Sequence, residues 1–111
     1  MTALEDIHAE RQRQIAIEGW SYEHDDQHAH GQMALAAAAY AAQSVVKVDP
    51  WIKVGFAGRT QLAGTFNVSD LLWPWDWRWW KPKDKRHDLV RAGALIVAEI
   101  ERLDRAARNG K

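Results

Sequence analysis

Residues 85–108, KRHDLVRAGALIVAEIERLDRAAR, decide the fold class. Leu89, Ala92, Ile96, Ile100 and Leu103 recur at intervals of three and four, the spacing that lines one face of an α-helix. Away from that stripe, Glu101 with Arg105 and Asp104 with Arg108 stand four apart, as exposed ion pairs on a helix do. Asp84, just before the run, is a good N-cap. The spacing therefore predicts a helix over 85–108 that buries the Leu89 to Leu103 stripe.

Working outward, residues 3–18 read as a second helix, with Leu4, Ile7 and Ile15 at helical spacing and Gly19 to end it. Arg11 sits in that stripe where an apolar residue belongs, with Gln14 beside it. Burying an unpaired guanidinium costs several kcal/mol, so an inward Arg11 must meet a carboxylate such as Asp88, or an anionic ligand. The alternative is a rotated helix with Arg11 on a solvated border. A further helix is expected after the N-cap Ser21, running through GQMALAAAAYAAQ to about Ser44. Its alanine face admits another helix at close range.

Residues 45–68 mix β-branched residues, glycines and a proline without sustained periodicity, so a loop with possible short strands is expected there. Ser69 would cap one turn of helix, SDLLW, before Pro74. The stretch 73–82, WPWDWRWWKP, is not ordinary helix, because Pro74 and Pro82 bracket it. The expectation is an all-α, mainly α fold. It is a small bundle of three main helices with an irregular tryptophan-rich segment, in a single helical domain over 1–111.

Composition sets the outer limits. With 47% hydrophobic and 27% charged residues in 111, the chain is neither disordered nor membrane-embedded by composition. No run approaches the ~20 apolar residues of a membrane span, and the charged start is no signal peptide, so a cytoplasmic protein without membrane attachment is expected. Zero cysteines exclude disulfides, thiolate metal sites and thiol nucleophiles. Fifteen basic residues against fifteen acidic argue against general nucleic-acid binding. No phosphate-loop, dinucleotide or serine-hydrolase motif is present. Three helices bury little for so aromatic a chain, which points to a homo-oligomer.

The charges are unevenly spread. Residues 1–30 hold seven acids and four of the five histidines, whereas six basic residues fall between Arg78 and Arg91. In EHDDQHAH (23–30), His24 and His28 stand four apart and share a helix face. Glu23 and Asp26 stand three apart, a pair suited to Mg²⁺, which Asp88 would complete if the second and last helices pack side by side. Acids in a first helical turn are also favoured by the macrodipole alone. Five of the seven tryptophans fall in 73–80, interleaved with Arg78 and followed by Lys81. Indoles beside cations hold nucleotides by stacking and phosphate neutralisation, although core packing and self-association are competing uses. The candidate ligand contacts are therefore Trp20, Trp75 and Trp80 for a base, and Arg11, Lys81 and Arg86 for phosphate. His24 and His28 add hydrogen bonds, with Gln14 beside Arg11.

ERQRQIAIEGWSYEHDDQHAHGQMALAAAAYA (10–41), WPWDWRWWKP (73–82) and RHDLVRAGALIVAEIERLDR (86–105) together resemble a family of small phage and prophage proteins over about two thirds of the chain. The chain is also similar to the MazG-like all-α nucleotide pyrophosphohydrolases, whose paired carboxylates hold Mg²⁺ against a nucleoside triphosphate. There the first pair would be Glu23 and Asp26, and the second Asp84 and Asp88, spaced by four rather than three. Together with the candidate contacts, these resemblances lead to the expectation of a phage-derived protein that binds a small phosphorylated, nucleotide-type ligand and so sequesters a host signal. The alternatives are a Mg²⁺-dependent pyrophosphohydrolase and an interaction module built on the tryptophans.

Overall fold

The computed structural model describes residues 2–46, 53–56, 59–62 and 72–110. Among them four helices dominate: α1 (Ala3–Ala16), the short α2 (Tyr22–Asp26), α3 (Gln32–Val46) and α4 (Lys85–Arg108). The mainly α architecture and its three long helices agree with the sequence reading. Two short strands, β1 (Lys53–Phe56) and β2 (Arg59–Leu62), pair antiparallel with Lys53 opposite Leu62. They fall where short strands were expected. The helical turn expected over 69–73 lies, apart from its last two residues, outside the described residues.

Local chemistry sets the helix ends. Thr2 and Glu5 form a reciprocal capping box on α1, satisfying two backbone N–H groups that have no helical partner. Asp84 caps α4 by accepting from the His87 amide at 2.8 Å. Ser21 caps α2 as expected, but the helix it starts ends at Asp26 instead of running on to Ser44. The break falls before Gly31, whose φ of 83° lies in the left-handed region that a helix cannot continue through. α3 then begins at Gln32.

α3 packs chiefly on α4, and α1 also packs on α4. The core consists of Met33, Ala36, Ala37, Ala39 and Tyr40 from α3, Ala92, Leu95 and Ala98 from α4, and Trp73. The interface is built from small residues, and that corrects the expected orientation of α4. Of the predicted stripe only Ala92 is buried, while Leu89, Ile96, Ile100 and Leu103 remain 45–52% exposed. The alanine face of α3 accepts the narrow Ala92–Leu95–Ala98 face of α4, because small side chains let two helices approach closely and bury both backbones. The bulky aliphatic residues point elsewhere. Gly93 has Ile7 lying against it, close enough that a Cβ there would sit 2.8 Å from Ile7 Cδ1. Among the described residues no helix is long and apolar enough to cross a membrane.

Candidate functional site

Arg11 does point inward, at 2% exposure. Its partner is not Asp88 but Asp25, whose Oδ2 lies 2.7 Å from Nη2, with Glu101 3.1 Å from Nε. A fully buried carboxylate and a fully buried guanidinium thus tie α1 to α2. Asp25 also reaches sideways, with its Oδ1 3.1 Å from His24 Nδ1. A carboxylate only accepts, so the His24 proton sits on Nδ1. In the same way His28 Nδ1 donates to the His24 carbonyl at 2.9 Å. Both rings are held by these bonds, half-buried, with Nε2 left for other partners.

Trp20 is placed by the turn after α1. Gly19 adopts φ 74°, and the Trp20 amide donates to the Gln14 carbonyl at 2.9 Å, which brings the indole beside α2. Trp20 and His24 lie parallel, 5.8 Å between centroids and 4° between planes. His28 follows 4.5 Å from His24, and Trp75 meets His28 edge-on at 5.3 Å. These four rings and Trp79 line a cleft of about 700 Å³, with Ile17, Glu18, Asp76 and Lys81 completing its wall. That volume falls within the range of sites for small organic ligands.

The tryptophan segment divides by role. Trp73 is buried, with its Nε1 donating to the Asp76 carbonyl at 3.1 Å. Trp80 stacks on Tyr40 at 4.7 Å and packs against the core, so it is not in the cleft where it was expected. Trp77 and Trp79 lie in a single 3₁₀ turn, Trp77–Trp79, and each is 52% exposed. Arg78 and Lys81 sit over the Trp79 ring at 5.3 and 5.9 Å, a cation–π pairing at the rim of the cleft.

Of the residues expected to bind ligand, Trp20, His24, His28, Trp75 and Lys81 come together in this cleft. Arg86 does not, because it pairs with Asp6 at 2.7 Å on the exterior. Arg11 is already matched by its two carboxylates. Gln14 lies in a neighbouring void of about 20 Å³, whose walls share Glu18, Trp20, Trp79 and Lys81 with the cleft. The expected Mg²⁺ set is not assembled. Asp26 holds Arg105 at 2.8 Å near the C-terminal end of α4, and Glu23 is exposed. Asp88 is buried near the other end, about 25 Å away along the axis at 1.5 Å per residue, and accepts from the Lys83 amide. Among the described residues no group of three or more acidic or imidazole side chains is gathered to hold a metal.

Behind the cleft lies a polar group in which Glu10, Arg13, Tyr40 and Arg91, not singled out as a site by the sequence, join the expected Gln14 and Lys81. Glu10, 7% exposed, accepts two bonds from Arg13 at 2.8 Å and one from Gln14 at 3.4 Å, and stands 4.0 Å from Arg91 Nε. Burial pushes its carboxyl up, but the bonds from Arg13 and the charges of Arg13, Arg91 and His87 outweigh this and hold it below its usual value. Tyr40 Oη accepts from the Lys81 amide at 3.3 Å and from Arg91 Nη1 at 3.4 Å, and Arg91 also donates to the Lys81 carbonyl. Burial raises the Tyr40 pKa. Trp79, Glu18 and Arg91 were missed because spacing alone does not tell which tryptophan of an alternating run faces inward, or which arginine of a helix end is buried. Compared with protein-family models, curated proteins and solved structures, the chain matches none.

Proposed function

We propose that this protein binds a small nucleotide-type ligand, with its base in the aromatic cleft and one phosphate at the Lys81 rim. The observation that carries this reading is the convergence of Trp20, His24, His28, Trp75 and Lys81, from two separate stretches of sequence, 20–28 and 75–81, on one ligand-sized cleft. Stacking a base on an indole contributes about 1–3 kcal/mol per contact, and a single lysine suits one phosphate better than a polyphosphate. Holding the ligand, as a sequestering protein does, asks nothing more of these residues. The reading stops at binding, because hydrolysis on Mg²⁺ needs a gathered carboxylate set and Asp26 and Asp88 stand at opposite ends of α4.

Titration calorimetry with AMP, GMP, CMP and UMP tests this directly. Saturable binding by the wild type is expected, weakened roughly 5- to 150-fold in Trp75→Ala and unchanged in Trp77→Ala, whose ring does not line the cleft. No heat from any of the four nucleotides, or equal affinity in Trp75→Ala, overturns the proposal.

A further inference from the structure

α4 carries two apolar faces, and only one of them is covered. Ala92, Leu95 and Ala98 are buried in the core with α3, whereas Leu89, Ile96, Ile100 and Leu103 remain 45–52% exposed. At about 100° per residue these four aliphatic side chains fall within about 60° of arc, with Ala98 on the opposite side of the helix. Their successive intervals of seven, four and three are the spacing of a coiled-coil seam. Gly93 continues the pattern without a side chain, and Ile7 of α1 lies against it there. The four larger residues stay open to water. None of them offers a hydrogen bond, so the stripe cannot orient a small polar ligand; what fits it is another apolar helix face.

The order of the residues selects a second copy as that partner. Leu89 and Leu103 stand seven residues to either side of Ile96, so a two-fold axis at Ile96 sets each Leu89 against Leu103 of the other copy and Ile96 against itself. Such a patch is its own complement, as a symmetric dimer requires. The bordering charges choose the direction. Arg86 and Asp104 are both exposed, lie on the same flank about 60° round the helix from Leu89, and stand near opposite ends of the seam. Antiparallel pairing brings each Arg86 toward Asp104 of the other copy, whereas parallel pairing sets like charges together. A chain of zero net charge adds no long-range repulsion between copies.

We propose that α4 is the interface of an antiparallel homodimer, with Leu89, Ile96, Ile100 and Leu103 of both copies as its seam. The seam runs about 21 Å from Leu89 to Leu103 at 1.5 Å per residue. An interface of that length belongs to the small, exchanging class, so monomer and dimer interconvert with concentration. This assignment is independent of nucleotide binding in the cleft.

Sedimentation velocity across about 1–200 µM tests it, the mass rising from monomer toward dimer. Ile96→Lys should weaken association at least tenfold, while Leu35→Lys, on α3 and outside the seam, should leave it unchanged. Because Ile96 is already half-exposed, unfolding of the dilute chain should barely change in Ile96→Lys. The absence of cysteine allows a second readout. Under mild oxidation Ile96→Cys should cross-link as a dimer and Leu89→Cys should not, because antiparallel pairing holds the two Leu89 positions about 21 Å apart, beyond the reach of a disulfide. A monomer at every concentration overturns the proposal and leaves the seam to another segment of this chain or a different protein. A dimer that survives Ile96→Lys overturns it as well, and efficient cross-linking of Leu89→Cys overturns the antiparallel arrangement.

Discussion

Replacing Asp25 by asparagine removes one charge from the most deeply buried ion pair among the described residues while nearly preserving its shape. Asp25 is 0% exposed and Arg11 2%, and their closest atoms are 2.7 Å apart. Breaking a buried pair from one side leaves the other charge uncompensated, at a cost of about 3–5 kcal/mol. Glu101 remains 3.1 Å from Arg11 Nε, but its side chain is 40% exposed and its attraction is screened, so it offsets only part of that cost. Arg11 Nη1 already lacks a hydrogen-bond partner, so the guanidinium has no spare bond to fall back on. The expected loss is about 3 kcal/mol, a large share of the roughly 5–15 kcal/mol that holds a domain together. At about 4–8 °C per kcal/mol for a chain near this size, the melting midpoint should fall by about 12–24 °C. Urea unfolding followed by tryptophan fluorescence measures the loss directly, with the slope expected to stay constant. The double variant Arg11→Met with Asp25→Leu should recover most of it, because an apolar pair needs no desolvation of charge. A loss below about 1 kcal/mol in Asp25→Asn would refute the assignment of this pair as the buried tie between α1 and α2.

The orientation of α4 predicts an inverted ranking of its aliphatic residues. Leu95→Ala should cost about 2–5 kcal/mol and Ile100→Ala under about 1 kcal/mol, since Leu95 is 1% exposed and Ile100 52%; the opposite order in urea unfolding would restore the stripe reading. Glu10 is held below its ordinary 4.5, so its stabilisation is complete above that pH and is lost as pH falls through the lower folded value. Tyr40 is raised above 10.0, so its contribution is complete below that pH and is lost as pH climbs through the folded value. Thermal midpoints across pH should show both limbs, the acid one flattened in Glu10→Gln and the alkaline one in Tyr40→Phe. Unchanged limbs in these variants would sink the assignments. Gly19→Ala forces a side chain into φ 74° and should cost roughly 1–2 kcal/mol in thermal unfolding while displacing Trp20; a neutral result would mean the turn tolerates another geometry.

The site residues visible in the sequence were those whose chemistry is unusual wherever they fall. A cluster of tryptophans, paired histidines four apart and an arginine in an apolar stripe announce themselves without a fold. Trp75, His24 and His28 were found in this way. Trp80 and Arg86 carry the same chemistry and were expected in the site, yet one stacks on Tyr40 and the other pairs with Asp6. Distinguishing them requires knowing which residues lie within a few ångströms across the fold, and that information is not local.

The same division holds for the fold. Sequence alone determined α4 from Lys85 to Arg108 and the caps at Asp84 and Ser21, because propensity and capping act between residues a turn apart. It left open whether Arg11 faces inward or sits on a solvated border, because the spacing of Leu4, Ile7 and Ile15 does not fix the rotation of α1; the structure buries Arg11. Tertiary structure decided which face of α4 is buried, since two helices can pair through small residues at close range or through large ones farther apart, and only the alanine face of α3 settles which. It likewise decided that Arg11 pairs with Asp25 and not Asp88. Both carboxylates were equally eligible by charge, and the choice between them depended on where α1, α2 and α4 come to rest.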